Sequence, residues 1–108
     1  MAIDPDDPGK APGFVRELAA RLGTPDAEVH LDPVSLFADY GEITSHEATA
    51  ILRLARSEGI LLDPVYTGRA FAGLLRRAEQ GTLQDPVLFW HTGGLPALFA
   101  TDAARLLD

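Results

Sequence analysis

The spacing of apolar residues divides the chain into helical stretches separated by short unbroken apolar runs. Phe14, Val15, Leu18, Ala19 and Leu22 fall on one face at the 3.6-residue period and Gly23 follows where a helix ends, so a first helix is predicted over 14–22. Asp-Pro and Asp-Tyr-Gly breaks make 24–41 irregular, with a short strand expected around 29–31. Thr44 and Glu47 then stand at capping-box spacing ahead of the stripe Ala48, Ile51, Leu52 and Ala55, which Gly59 closes. A further helix over 69–80 carries Ala70, Phe71, Leu74, Leu75 and Ala78 on one side and ends at Gly81.

Two apolar runs interrupt these helices. Ile60, Leu61 and Leu62 are stopped by Asp63-Pro64, and Val87, Leu88, Phe89 and Trp90 run without a polar break, as a parallel strand covered on both faces would. A last helix is expected from Pro96. Helix, short strand, helix, strand, glycine turn and helix predict an α/β fold with short parallel strands alternating with helices. About two or three strands are too few for a self-sufficient sheet, so the sheet is expected to be incomplete. Residues 1–12, rich in Pro, Asp and Gly, read as a loose leader, with 1–3 as the tail of a strand, and 13–108 as the α/β part.

Composition narrows the function classes. The net charge is −7 and no basic run exceeds Arg76-Arg77, which excludes the electrostatic footprint of a nucleic-acid binder. Cysteine is absent, removing disulfides and thiolate metal sites. His30, His46 and His91 do not share metal-ligand spacing, so no metal is expected. No apolar run approaches the ~20 residues of a membrane span, and the start lacks signal-peptide order. A soluble cytoplasmic protein is expected, without membrane partners.

Three segments carry candidate chemistry. His91-Thr92-Gly93-Gly94 follows an expected strand and precedes a helix, where loop N–H groups favour anions and adjacent glycines permit close backbone approach. A tight turn without a ligand fits the same residues. In Asp63-Pro64-Val65-Tyr66-Thr67-Gly68 the Tyr66 phenol can donate a hydrogen bond or carry a proton beside the Thr67 hydroxyl, or Tyr66 can simply plug a turn. Tyr40, in Asp39-Tyr40-Gly41, reads from its neighbours as a surface residue.

The stretches 57–74, SEGILLDPVYTGRAFAGL, and 89–99, FWHTGGLPALF, with Tyr40-Gly41 upstream, closely resemble the C-terminal region of the D-cysteine desulfhydrase and 1-aminocyclopropane-1-carboxylate (ACC) deaminase family. The resemblance implies the C-terminal portion of a fold type II, tryptophan-synthase-β-like enzyme dependent on pyridoxal 5'-phosphate (PLP). It implies that Tyr66 and Tyr40 line the substrate side, Tyr66 positioning the substrate carboxylate or acting on the leaving group. It places Thr67, Thr92 and Gly93 at the cofactor, with one of the two hydroxyls on the pyridine nitrogen. A neutral hydroxyl there leaves the ring nitrogen unprotonated.

Family members that deaminate ACC carry glutamate where this chain has Thr67, so the resemblance favours β-elimination from a D-cysteine-like amino acid, giving pyruvate, ammonia and sulfide. An ACC deaminase, a cysteate sulfo-lyase or a non-catalytic α/β remnant are the alternatives. Two features depart from the family pattern: no proline follows Tyr40-Gly41, and Arg69 replaces a lysine, an exchange of one cation for another that a surface role would survive. The family's Schiff-base lysine lies in an N-terminal half that has no counterpart here, and Lys10 is the single lysine of the chain. The resemblance therefore implies a chain inactive by itself, with a homodimer or a complementing N-terminal half as partner and a small amino acid as substrate.

Overall fold

The computed structural model describes residues 10–30, 32, 42–100, 102 and 104–107. Among them lie α1 (Ala11–Arg21), α2 (Ser45–Glu58), α3 (Thr67–Glu79), α4 (Leu95–Ala100) and α5 (Ala104–Leu107). The chain divides into two units, Met1–Pro33 and Val34–Asp108, each with its own contacts. No helix of the described residues is long and apolar enough to cross a membrane.

In the first unit α1 begins at Ala11, ahead of the expected start, because Pro12 near its first position is already set to helical φ. Lys10 is its N-cap residue, and the Lys10 carbonyl accepts the Phe14 N–H at 3.1 Å. At the far end Gly23 takes φ 82° and the Thr24 hydroxyl donates to the Ala19 carbonyl at 3.0 Å, closing the last turn. No residue of α1 is fully buried: Phe14, Val15 and Ala19 of its apolar stripe are half-buried, and Leu18 is exposed. Val29 and His30 form no strand, and Leu31 lies outside the described residues, as do residues 1–9.

In the second unit α2 has the predicted bounds. Thr44 and Glu47 form the capping box, the Thr44 N–H donating to Glu47 Oε2 at 2.9 Å, and Gly59 ends the helix at φ 68°. Its buried side, Ala50 and Ile51, packs on α3 and meets α5. Ile51, Leu62 and Leu106 form the core, with Ile43, Ala48, Leu54, Phe71, Phe89 and Leu98 around it. Leu62 is fully enclosed, so truncation to Ala would cost about 2–5 kcal/mol.

The expected α/β fold is not what forms: the described residues are helical and contain no strand, parallel or otherwise. A strand exists only through ladder bonds to a neighbour, and residues 60–62 and 87–90 make none. The two segments are linked instead through a side chain on a carbonyl, His91 Nε2 to Leu61 O at 2.9 Å. Nor is the second run covered on both faces. Leu88 is 83% exposed and Trp90 77% exposed, while Phe89 alone turns inward, edge-on to Phe71 with ring centroids 5.3 Å apart. A continuous apolar run predicts double burial; here Val87, Leu88 and Trp90 are all exposed and Phe89 alone is partly covered.

Candidate functional site

The residues after Leu62 fold around one carboxylate. Asp63 is fully buried, and its Oδ2 accepts the N–H groups of Val65 at 2.9 Å and Tyr66 at 2.7 Å. Oδ1 accepts the Thr67 N–H at 2.9 Å and the Thr67 hydroxyl at 2.6 Å. The Asp63 N–H returns a bond to Thr67 Oγ1 at 3.0 Å, and the Gly68 N–H reaches the Asp63 carbonyl at 2.7 Å. Burial would push the Asp63 carboxyl up, but the donors from Thr67, Tyr66 and Val65 outweigh it and hold the carboxyl below its ordinary value.

These bonds decide what the predicted residues can do. The positive end of α3, where an external anion could sit, is already occupied by the chain's own carboxylate. Thr67, only 3% exposed, donates its hydroxyl proton to Asp63 and so has none to offer a ligand. Tyr66, by contrast, is 62% exposed at the start of α3, its backbone held by Asp63 and its ring turned outward.

Gly68 cannot be larger. A Cβ there would stand 2.6 Å from the Asp63 carbonyl oxygen and 2.8 Å from Ile51, so it lets α3 close on both the loop and the core. Next to it the Arg69 side chain is largely covered. Its Nε donates to Glu47 Oε1 at 3.2 Å and its guanidinium reaches the Glu42 carbonyl at 3.0 Å, while the Glu47 side chain is fully buried. The glutamate of the α2 capping box thus also anchors the first turn of α3.

The second loop is built differently. The Gly93 N–H donates to His91 Nδ1 at 3.1 Å, which leaves the proton on Nε2 to donate to the Leu61 carbonyl. Gly93 and Gly94 adopt φ of 101° and 90°, a conformation that side chains with a Cβ resist. A Cβ at Gly94 would come within 2.8 Å of Asp63 Cγ, so the two predicted loops touch at this point. At Gly93 a Cβ would meet nothing within 4 Å, and beside it Thr92 is exposed, its hydroxyl bonded to no partner among the described residues.

Tyr40 lies outside the described residues. Among the described residues no three His, Asp or Glu side chains gather as a metal site. A shallow recess on α2, lined by Thr49, Leu52, Arg53, Arg56 and Ser57, shares no residue with either loop.

The sequence also carries a signal for Asp63 that periodicity passes over. Asp followed by Pro is a turn-initiating pair, and Asp63-Pro64 opens the turn that leads to Tyr66, the N-cap residue of α3.

No family model matches the chain. A D-cysteine desulfhydrase of Yersinia enterocolitica is 51% identical to it over 89 residues, which are 79% of this chain and 27% of that protein. The Yersinia pestis D-cysteine desulfhydrase is 52% identical over 87 residues, 77% of this chain and 26% of that protein. A Pyrococcus horikoshii protein, provisionally named a 1-aminocyclopropane-1-carboxylate deaminase, is 42% identical over 91 residues, 83% of this chain and 28% of that protein. Along about four fifths of its length the chain is homologous to D-cysteine desulfhydrases and to proteins named as ACC deaminases. It spans about a quarter of the length of the curated relatives it matches.

Proposed function

We propose that this chain is the C-terminal part of a PLP-dependent carbon–sulfur lyase that acts on D-cysteine or a close analogue, releasing pyruvate, ammonia and sulfide. The observation that carries this reading furthest is the contrast between its two threonines. Thr92 presents an exposed hydroxyl beside a glycine with open space at its Cβ position, a combination that suits a flat pyridine ring. Thr67 is sealed against Asp63. Thr92 is therefore the residue assigned to the ring nitrogen, Gly93 the close backbone approach, and Thr67 a support behind them.

Bound PLP supplies the electron-withdrawing ring that labilises bonds at the substrate α-carbon. This chain's own contribution is to hold that ring through a neutral hydroxyl and to offer the Tyr66 phenol, at the start of α3, to the substrate carboxylate or the departing sulfur. Tyr40 is assigned to the same substrate side. The single lysine, Lys10, caps α1 in the other unit. The covalent attachment of PLP and the movement of the α-proton are assigned to a lysine-bearing part outside this chain, and the chain alone is inactive.

A chimera tests the reading. The stretch of the Yersinia enterocolitica D-cysteine desulfhydrase that matches this chain is replaced by the corresponding residues of this chain, and products are measured from D-cysteine and from ACC. Sulfide and pyruvate from D-cysteine are expected, with no 2-oxobutanoate from ACC. The reverse product pattern would assign ACC deamination instead, and a folded, PLP-loaded chimera with neither activity would sink the proposal. The chain alone, mixed with PLP and reduced with borohydride, should acquire no stoichiometric adduct at Lys10.

A further inference from the structure

Asp63 is the structural centre of its own loop, and its carboxylate is also where the two candidate loops meet. On one side it holds the N–H groups of Val65, Tyr66 and Thr67 and the Thr67 hydroxyl, all at 2.9 Å or less. On the other it is the surface against which Gly94 is seated, so closely that a Cβ would lie 2.8 Å from Asp63 Cγ. The His91 bond to the Leu61 carbonyl fixes the same two segments two residues upstream of Asp63.

We propose that Asp63 is a positioning residue of the candidate site, whose buried carboxylate seats the loop carrying Thr92 against the loop presenting Tyr66. This rests on the reading of the two loops as the cofactor and substrate site. Asp63 touches neither cofactor nor substrate, because it is fully enclosed and its bonds run to its own loop. It acts through the backbone of Tyr66 and through contact with Gly94. The charge matters as well as the shape: three N–H groups and a hydroxyl converge on it, and an amide in its place would turn a donor toward donors.

The test uses the full 108-residue chain, labelled with 15N, and the Yersinia chimera. Asp63→Asn is expected to move the amide resonances of residues 92–94 together with those of 65–67, while those of 49–57 in α2 stay in place. Gly94→Ala, pushing from the opposite side, is expected to move the resonances of 65–67. Thr44→Ala weakens the cap of α2 and should leave 92–94 unmoved, separating general loss of stability from positioning. In the chimera, Asp63→Asn is expected to shift the cofactor absorbance and to lower kcat roughly a hundredfold with a smaller change in KM.

Unmoved 92–94 resonances in Asp63→Asn, or unmoved 65–67 resonances in Gly94→Ala, would overturn the proposal. So would a chimera whose kcat and cofactor spectrum are indifferent to Asp63→Asn. If Asp63→Asn does not fold, the Gly94→Ala result decides. A chimera with Asp63 intact that binds no PLP overturns the functional reading instead, whatever the resonances show.

Discussion

Two loops of similar sequence promise, each before a helix and each with a threonine beside a glycine, are held by opposite kinds of bonding. The loop at 63–68 closes on itself: its carboxylate, its hydroxyl and its first-turn N–H groups satisfy one another within five residues of sequence. The loop at 91–94 is tied at one end by His91 to Leu61, bends through two glycines at positive φ, and leaves the Thr92 hydroxyl exposed. A polar group that is already satisfied stabilises the fold, whereas one held in place without a partner is available to a ligand. The contrast explains the first loop as structure and supports the ligand role proposed for the second, with Tyr66 the outward-facing exception in the first.

The largest effect should come from breaking the closed loop. Asp63→Ala leaves three N–H groups and a hydroxyl without their acceptor and should lower stability by about 4 kcal/mol, measured by urea unfolding. The loss should also depend on pH. Because the folded carboxyl sits below its ordinary value of 3.8, its stabilisation is present above that value and is lost as pH falls through the lower folded value. The stability gap between the native chain and Asp63→Asn should therefore hold from neutral pH to about 4 and narrow below it.

Arg69→Met comes next. It strands the fully buried Glu47 carboxylate, although the Thr44 N–H remains to it, and should cost about 3 kcal/mol, with Arg69→Lys recovering only part. Gly94→Ala should cost about 2 kcal/mol, since it combines strain at positive φ with overlap on Asp63. Thr92→Val, on the open loop, should change stability by less than about 0.5 kcal/mol. Equal stability losses for Asp63→Ala and Thr92→Val would erase the distinction between the loops.

What is legible in the sequence follows from the range of the interactions involved. The ends of α2 are readable because a capping box and a C-terminal glycine are local signals, and both form as their residue types dictate. The positions of the two loops are readable for the same reason. The parallel sheet is a false expectation because a run such as 87–90 reports only that apolar side chains are present, not what covers them; here Phe89 finds Phe71 while Leu88 and Trp90 stay exposed. The pairing of Arg69 with Glu47 is not legible because the two lie 22 residues apart, beyond the reach of any local pattern. Thr67 and Thr92 look equivalent in sequence, and only the hydrogen bonds of Asp63 separate them.

The most direct test of that separation is the cofactor absorption spectrum of the chimera carrying Thr92→Val, recorded beside its melting temperature. A displaced cofactor band and weakened PLP binding are expected with the melting temperature unchanged, because the lost hydroxyl served the ring and not the fold. An unaltered spectrum and affinity in Thr92→Val, with Thr67→Val displacing the band at an unchanged melting temperature, would contradict the assignment.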